Sequence, residues 1–261
     1  MDYSIRQIWD SAFRGAAPDG LLAFLDEESF SGHSFEGTTK ILRNPDFQEP
    51  FVQKLVEEGK KKVLIVAGSI GLEACTLGIL AKNAGYDELQ VDTLDISPVF
   101  TQIAQGSCYG EAVLLNQGQD ICRHFEKASQ AGFVTLSGDI AKNIHVLDAQ
   151  NVFSFKADKR YDAVICQNLI RHLDFDAAKA LALRLAHMTQ GYFCFDTPER
   201  IEEKERFRVV LDDIKGQLRG VGLSFLGGDW KPLSDQDFYP DGTRKEKSGL
   251  DETVMVFERN C

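Results

Sequence analysis

Nowhere in the 261 residues do about 18 apolar positions run without a charge, so no membrane span is expected. The opening MDYSIRQIWDSAF carries acids early and lacks an apolar centre, which argues against a secretory signal. Clustered positive charge is equally scarce. The net charge is −11, and the basic runs Lys60–Lys62 and Arg244–Lys247 are short and far apart. Nucleic-acid binding needs grouped cations that displace counterions, so no nucleic-acid partner is expected. Paired cysteines at CxxC spacing are absent too. Of Cys75, Cys108, Cys122, Cys166, Cys194 and Cys261, the first, fourth and fifth lie in apolar runs. That suits reduced core thiols of a cytoplasmic protein rather than a catalytic or metal-binding set, and no metal site is expected. No repeat or low-complexity segment stands out.

What the chain does have is apolar content of 43%, enough for one large domain or a domain with an appendage. Residues 1–37 read as a short helical N-terminal extension, broken by the PDG turn at Pro18–Gly20, ahead of one domain over 38–261. A helix is expected from about Phe47. From Lys62 onward strands and helices alternate. KVLIVA is apolar on both faces, as a central parallel strand must be. LEACTLGILAKNAG reads as a helix ending at Gly85, and LQVDTLD as the second strand. SPVFTQIAQGS reads as a helix with Ser97 as N-cap and Pro98 at its first position. EAVLLNQGQDICRHFEKASQ and GFVTLSGDIAKN are read as helical pieces leading into a strand at IHVLDAQ. YDAVICQN is a strand, FDAAKALALRLAHMT a helix, GYFCFDTP a strand, and IEEKERFRVVLDDIKGQLRGVG an amphipathic helix. VGLSFLGG and ETVMVFER close the chain as strands, with a polar loop between them.

The expected fold is therefore α/β and Rossmann-like: a seven-stranded, mostly parallel sheet whose last strand is antiparallel, because a loop without a helix precedes it. Ligands of such sheets bind outside the carboxyl ends of the strands. VAGSIGLEA follows strand one there and opens a helix, and Gly68 and Gly71 can take dihedrals closed to other residues. About 24 residues after Gly71, Asp95 closes strand two, placed to accept hydrogen bonds from a ribose diol. Dinucleotide enzymes share this spacing. The loop departs from GxGxxG, however, with Ala67 at the first place and Glu73 two beyond the last glycine. An acid there does nothing for a pyrophosphate, whereas it suits an amine or another cation. S-adenosylmethionine carries a sulfonium and an ammonium and no phosphate, so a methyl donor is favoured over NAD. Structural alternatives stand beside each assignment. The glycines also permit tight strand-to-helix packing. Asp95 also suits a helix N-terminus. Asn168 also suits a turn cap, and His172 a surface or core position.

Taken in order, these segments resemble the CheR family of S-adenosylmethionine-dependent methyltransferases, bacterial enzymes that methylate glutamate side chains of chemoreceptors. TTKILRNPDF is similar to the family's Thr-x-Phe-Phe-Arg segment, with Thr39 and Arg43 on the matching positions. VAGSIGLEACT is similar to its glycine loop and keeps Ser69, Gly71 and Glu73. LQVDTLDIS, GSCYG, ICRHF, IHVLDAQNVF, YDAVICQNLIRHLDF and QGYFCFDTPE match further segments in the family's order. The resemblance implies a class I methyltransferase using S-adenosylmethionine, with cofactor contact by Thr39, Arg43, Glu73, Asp95, Asn151 and Asn168. It places Ala67, Gly68 and Gly71 in the loop, Ile96 beside Asp95, Asn151 and Val152 along the adenine, and Gln167 before Asn168.

Four residues depart from the family's pattern. Gln167 stands where the family has arginine, His172 where it has tyrosine, Ala67 where it has glycine and Leu72 where it has glutamate. The expected acceptor is a carboxylate or another nucleophile of a protein or small molecule. A carboxylate is already anionic and needs no base. Arg43 would then anchor the donor or steer the acceptor. For a hydroxyl, thiol or amine, His172 is the candidate base. Two alternatives remain: a degenerate relative that binds S-adenosylmethionine or a protein partner without turnover, and a nicotinamide oxidoreductase.

Overall fold

The computed structural model describes residues 41–43, 45–115, 117–157, 160–167, 169, 175–196, 230–232 and 254–259. The extension expected over 1–37, the helix read over 201–222 and the strand read over 221–228 lie outside the described residues. So do Thr39, Asn168 and His172.

In chain order the elements are α1 (Pro45–Glu57), β1 (Lys62–Val66), α2 (Leu72–Asn83), β2 (Gln90–Leu94), α3 (Pro98–Gly106) and β3 (Cys108–Gly110). After a 3-10 turn at Glu111–Leu114 come α4 (Gln119–Cys122), β4 (Phe125–Lys127), β5 (Phe133–Leu136), α5 (Gly138–Ala141) and β6 (Ile144–Val146). The rest are β7 (Tyr161–Cys166), α6 (Phe175–Met188), β8 (Thr189–Asp196), β9 (Trp230–Pro232) and β10 (Val254–Arg259). The chain divides into two compact units. Of the described residues, one unit comprises those within 41–43 and 68–149, the other those within 45–67 and 150–259.

In the second unit the strands lie in the order β1, β7, β8, β10, β9. β1 pairs with β7 and β7 with β8 in parallel, whereas β10 is antiparallel to both β8 and β9. Val63–Val66 and Ala163–Cys166 are all buried. A strand covered on both faces must be apolar throughout, which is why KVLIV and YDAVIC show no alternation. Opposite the register shift between Tyr161 and Ala163 sits Gly191. A Cβ there would lie 2.4 Å from the Asp162 carbonyl oxygen, so only glycine lets the strands approach. Helix α6 contributes Leu181, Ala182, Leu185, Ala186 and Met188 to the buried set.

In the first unit β2 pairs in parallel with β6, and β3, β5 and β4 form a separate antiparallel sheet in that order. Its core draws Ile70, Leu72, Cys75 and Ile79 from the turn and helix after β1, Phe100 and Ile103 from α3, and Tyr109, Phe133 and Leu136 from the small sheet. The N-cap and first-position assignments hold at α3: Ser97 is the N-cap and Pro98 opens the helix.

Two expectations need correction. The region read as helical pieces, residues 111–143, holds the two strands β4 and β5, and its only α-helices are the one-turn α4 and α5. Strands of three or four residues are too short for period-two alternation to show. The segment read as a polar loop after residue 228 contains the strand Trp230–Pro232. It lies at the end of the strand order, where the proline's missing N–H is tolerated.

The fold is thus mixed α/β with mostly parallel strands. Among the described residues no helix is long and apolar enough to cross a membrane, and no group of three or more His, Cys, Asp or Glu is placed to hold a metal ion. Cys75, Cys108, Cys122, Cys166 and Cys194 are reduced, none of them in a disulfide.

Candidate functional site

Three backbone positions between β1 and α2 take the left-handed conformation: Ala67 at φ 57°, Ser69 at φ 50° and Gly71 at φ 87°. Two of these are not glycine, and each such residue costs of order 1 kcal/mol unless its surroundings hold it. Here they do. Gly68 N donates to Leu94 O at 3.1 Å, Gly71 N to Gly68 O at 2.9 Å and Ser69 N to Asp95 Oδ2 at 2.8 Å. Gly71 then caps α2, and a side chain on it would crowd Ala104 Cβ at 3.1 Å.

Asp95 is the hub. Its Oδ1 accepts from Ser97 N at 2.8 Å, so one carboxylate ties the glycine turn to the start of α3. Ser97 Oγ in turn accepts from Phe100 N. Burial pushes the Asp95 carboxyl above its ordinary value, against the nearby backbone N–H groups of Ser97, Ser69 and Ile96, which lower it; of these, Ser69 and Ser97 make the close hydrogen bonds. A carboxylate offers about four acceptor positions, and the Ser69 and Ser97 bonds take one on each oxygen. What remains suits a pair of hydroxyls. Beside it Ile96 is 58% exposed, an apolar surface next to the hub.

Glu73 is buried in the first turn of α2, where the helix end favours a negative charge. Leu42 N donates to Thr76 Oγ1 at 3.0 Å, anchoring the segment that carries Arg43 onto the same helix. Ser69 Oγ is buried and has no hydrogen-bond partner among the described residues. A vicinal diol on Asp95, a flat apolar group along Ile96 and a positive charge toward Glu73 would together match this set.

The second unit holds the other described candidates. Ala67 ends the segment after β1. Asn151 opens a tight turn, its Oδ1 accepting from Phe153 N at 2.9 Å and its carbonyl from Phe155 N at 3.0 Å. Val152 is buried, and its carbonyl accepts from Arg184 Nε at 2.6 Å. Arg184 also donates through Nη2 to Phe155 O. Gln167 follows β7 at 3% exposure, with both amide atoms buried and lacking a partner among the described residues.

Arg43, Gly68, Gly71, Glu73, Asp95 and Ile96 therefore belong to the first unit, and Ala67, Asn151, Val152 and Gln167 to the second. Sequence reasoning missed Arg184. Its signal was a lone cation inside the apolar run LALRLAHM.

Two of the buried thiols are held protonated. Burial pushes Cys75 up to about 11, despite a hydrogen bond with Tyr109, and lifts Cys194 well above its ordinary value. Neither is an available thiolate at neutral pH.

A family model described as CheR methyltransferase, SAM binding domain, matches residues 37–214. No curated protein matches the chain. Solved structures to which the chain is similar include magnesium protoporphyrin IX methyltransferase (ChlM) from Synechocystis PCC 6803 with bound SAM. It is 15% identical with a TM-score of 0.45, covering 94% of this chain and 100% of that one. The methyltransferase domain of bacterial CtHen1 is 14% identical with a TM-score of 0.49, over 84% of this chain and 99% of that one. The N-methyltransferase NodS from Bradyrhizobium japonicum WM9, in complex with S-adenosyl-L-homocysteine, is 10% identical with a TM-score of 0.46, over 93% and 99%.

Proposed function

The chain belongs to the CheR methyltransferase family and is an S-adenosylmethionine-dependent methyltransferase; on that premise we propose that it transfers the methyl group to a carboxylate or other nucleophile of a protein or small-molecule acceptor. The observation that carries the site assignment is the Asp95 carboxylate, held by Ser69 N and Ser97 N with acceptor capacity to spare. In this reading Asp95 receives both ribose hydroxyls, Gly68 lets the backbone approach the nucleoside, and Gly71 closes the turn tightly against Ala104. Ile96 covers one face of the adenine, and resemblance to the family assigns Asn151 and Val152 to the same group. Glu73 faces the ammonium. Ala67, Gln167 and Asn168 complete the cofactor contacts, with Thr39 and Arg43 ahead of the glycine turn.

When bound, S-adenosylmethionine supplies a methyl group on a positively charged sulfur, open to in-line attack. The chain's own contribution is positioning. Aligned reactants gain several kcal/mol, about 7–11 at the upper end. A carboxylate acceptor needs no proton removed, and Arg43 attracts it. For an acceptor with a proton to lose, His172 takes it. The acceptor is not a nucleic acid, given a net charge of −11 and no long basic run. Reduced buried thiols suit the cytoplasm, where reductants keep them so.

Methyl-labelled cofactor tests the acceptor class. Incubation with acidic proteins and small carboxylic acids should give a product that releases methanol in mild base, the mark of a methyl ester. A base-stable product would move the acceptor to nitrogen, sulfur or a hydroxyl. No S-adenosylhomocysteine formation with any acceptor class would defeat the proposal.

A further inference from the structure

Behind the glycine turn stands a tyrosine that the cofactor assignment does not use. Tyr109 is the central residue of β3, paired with Val134 of β5, and its side chain is fully buried in the first unit. Its hydroxyl donates to Ile70 O at 3.1 Å and lies 3.5 Å from Cys75 Sγ. A Cβ on Gly71 would meet the same hydroxyl at 3.4 Å. One phenol oxygen therefore bonds the Ile70 carbonyl and stands where a side chain on Gly71 would reach. The amide side of the turn is held by Leu94 O and Asp95 Oδ2, and the carbonyl side by Tyr109.

We infer that Tyr109 is a positioning residue for S-adenosylmethionine, whose hydroxyl fixes the shape of the glycine turn. The inference rests on the reading that this turn and Asp95 hold the nucleoside. Its physical basis is the left-handed run at Ala67, Ser69 and Gly71. Such a run persists only where its surroundings over-determine it. Burial raises the Tyr109 hydroxyl well above its ordinary value, so it remains a donor at any working pH. Without that donor the Ile70 carbonyl loses its partner behind the turn, and the turn must relax before it can seat a ligand.

The test compares Tyr109→Phe with Val134→Ala in the full chain. The first removes only the hydroxyl. The second weakens the small sheet at the paired position and leaves the hydroxyl in place. Affinity for S-adenosylhomocysteine is read by calorimetry well below melting, and KM and kcat for S-adenosylmethionine in turnover. Tyr109→Phe should weaken binding and raise KM by about three- to tenfold, the worth of one net hydrogen bond, with kcat at saturation unchanged. Val134→Ala should lower the melting temperature and leave affinity within twofold. Equal affinity in wild type and Tyr109→Phe overturns the inference, as does an equal loss in Val134→Ala. Asp95→Ala in parallel separates the two levels. If it too leaves binding intact, the cofactor reading has failed; if it alone abolishes binding, only the role of Tyr109 has.

Discussion

Replacing Asp95 separates the cofactor reading from a purely structural one, because the carboxylate has two jobs of different size. Toward the protein it accepts one backbone hydrogen bond on each oxygen, both at 2.8 Å, from Ser69 and Ser97. Toward the nucleoside it would accept two hydroxyl protons. A hydrogen bond to a charged acceptor is worth about 1.5–3 kcal/mol, so two hydroxyls give about 3–6 kcal/mol. At about 1.4 kcal/mol per tenfold, Asp95→Ala should weaken S-adenosylhomocysteine binding by roughly 10²–10⁴-fold. Asp95→Asn is the more telling change. An amide presents one oxygen and one donor, so in either orientation its NH₂ faces the N–H of Ser69 or of Ser97. The isosteric variant therefore loses affinity and also loosens one arm of the turn, lowering stability by about 1–3 kcal/mol. Isothermal titration calorimetry with a parallel melting curve reads both. Affinity within threefold of wild type in a folded Asp95→Ala protein would refute the reasoning.

Acid should act through the same group. Hydroxyls donate to the ionised form, so affinity is full above the Asp95 pKa and falls about tenfold per pH unit below it. Because burial raises that pKa, the decline should begin at a higher pH than for an ordinary aspartate near about 3.9, and Asp95→Asn should lack it in calorimetric titrations over a pH series. Arg184→Met should free the carbonyls of Val152 and Phe155 and loosen their turn, raising KM for S-adenosylmethionine severalfold while far-UV circular dichroism stays unchanged. In the second unit, Tyr192 donates to Glu58 at 2.7 Å, and Lys54 pairs with the same carboxylate at 3.0 Å. Burial alone would raise Glu58, but those two partners outweigh it and hold the group below its ordinary value. Its contribution to stability is therefore present above the unfolded value of about 4.3 and lost as pH falls through the folded one. Tyr192→Phe should cost about 0.5–1 kcal/mol in urea unfolding at neutral pH, at the low end because Glu58 is one-third exposed, and the gap should narrow in acid.

The parallel core was legible because full burial leaves its mark on composition: KVLIV and YDAVIC have no polar face to hide. The glycine turn and Asp95 were legible because few residue types can sit at a strand-to-helix crossing or close a strand with a charge. The small antiparallel sheet was not. Cys108–Gly110 and Phe125–Lys127 are too short to show a period, and their pairing with Phe133–Leu136 is not visible along the chain. Nor does sequence reveal how Asp95 divides its acceptor positions, since the N–H groups that fill two of them belong to the backbone. Arg184 was overlooked for the same reason: its partners are carbonyls, which every residue has.

The central claim is that the carboxylate closing strand two holds the sugar of the methyl donor. A crystal structure with S-adenosylhomocysteine tests it directly. Both ribose hydroxyl oxygens should lie within about 2.5–3.0 Å of Asp95 oxygens, with the Ser69 and Ser97 N–H bonds kept. Ligand density elsewhere, or a ribose turned away from Asp95, would contradict the account.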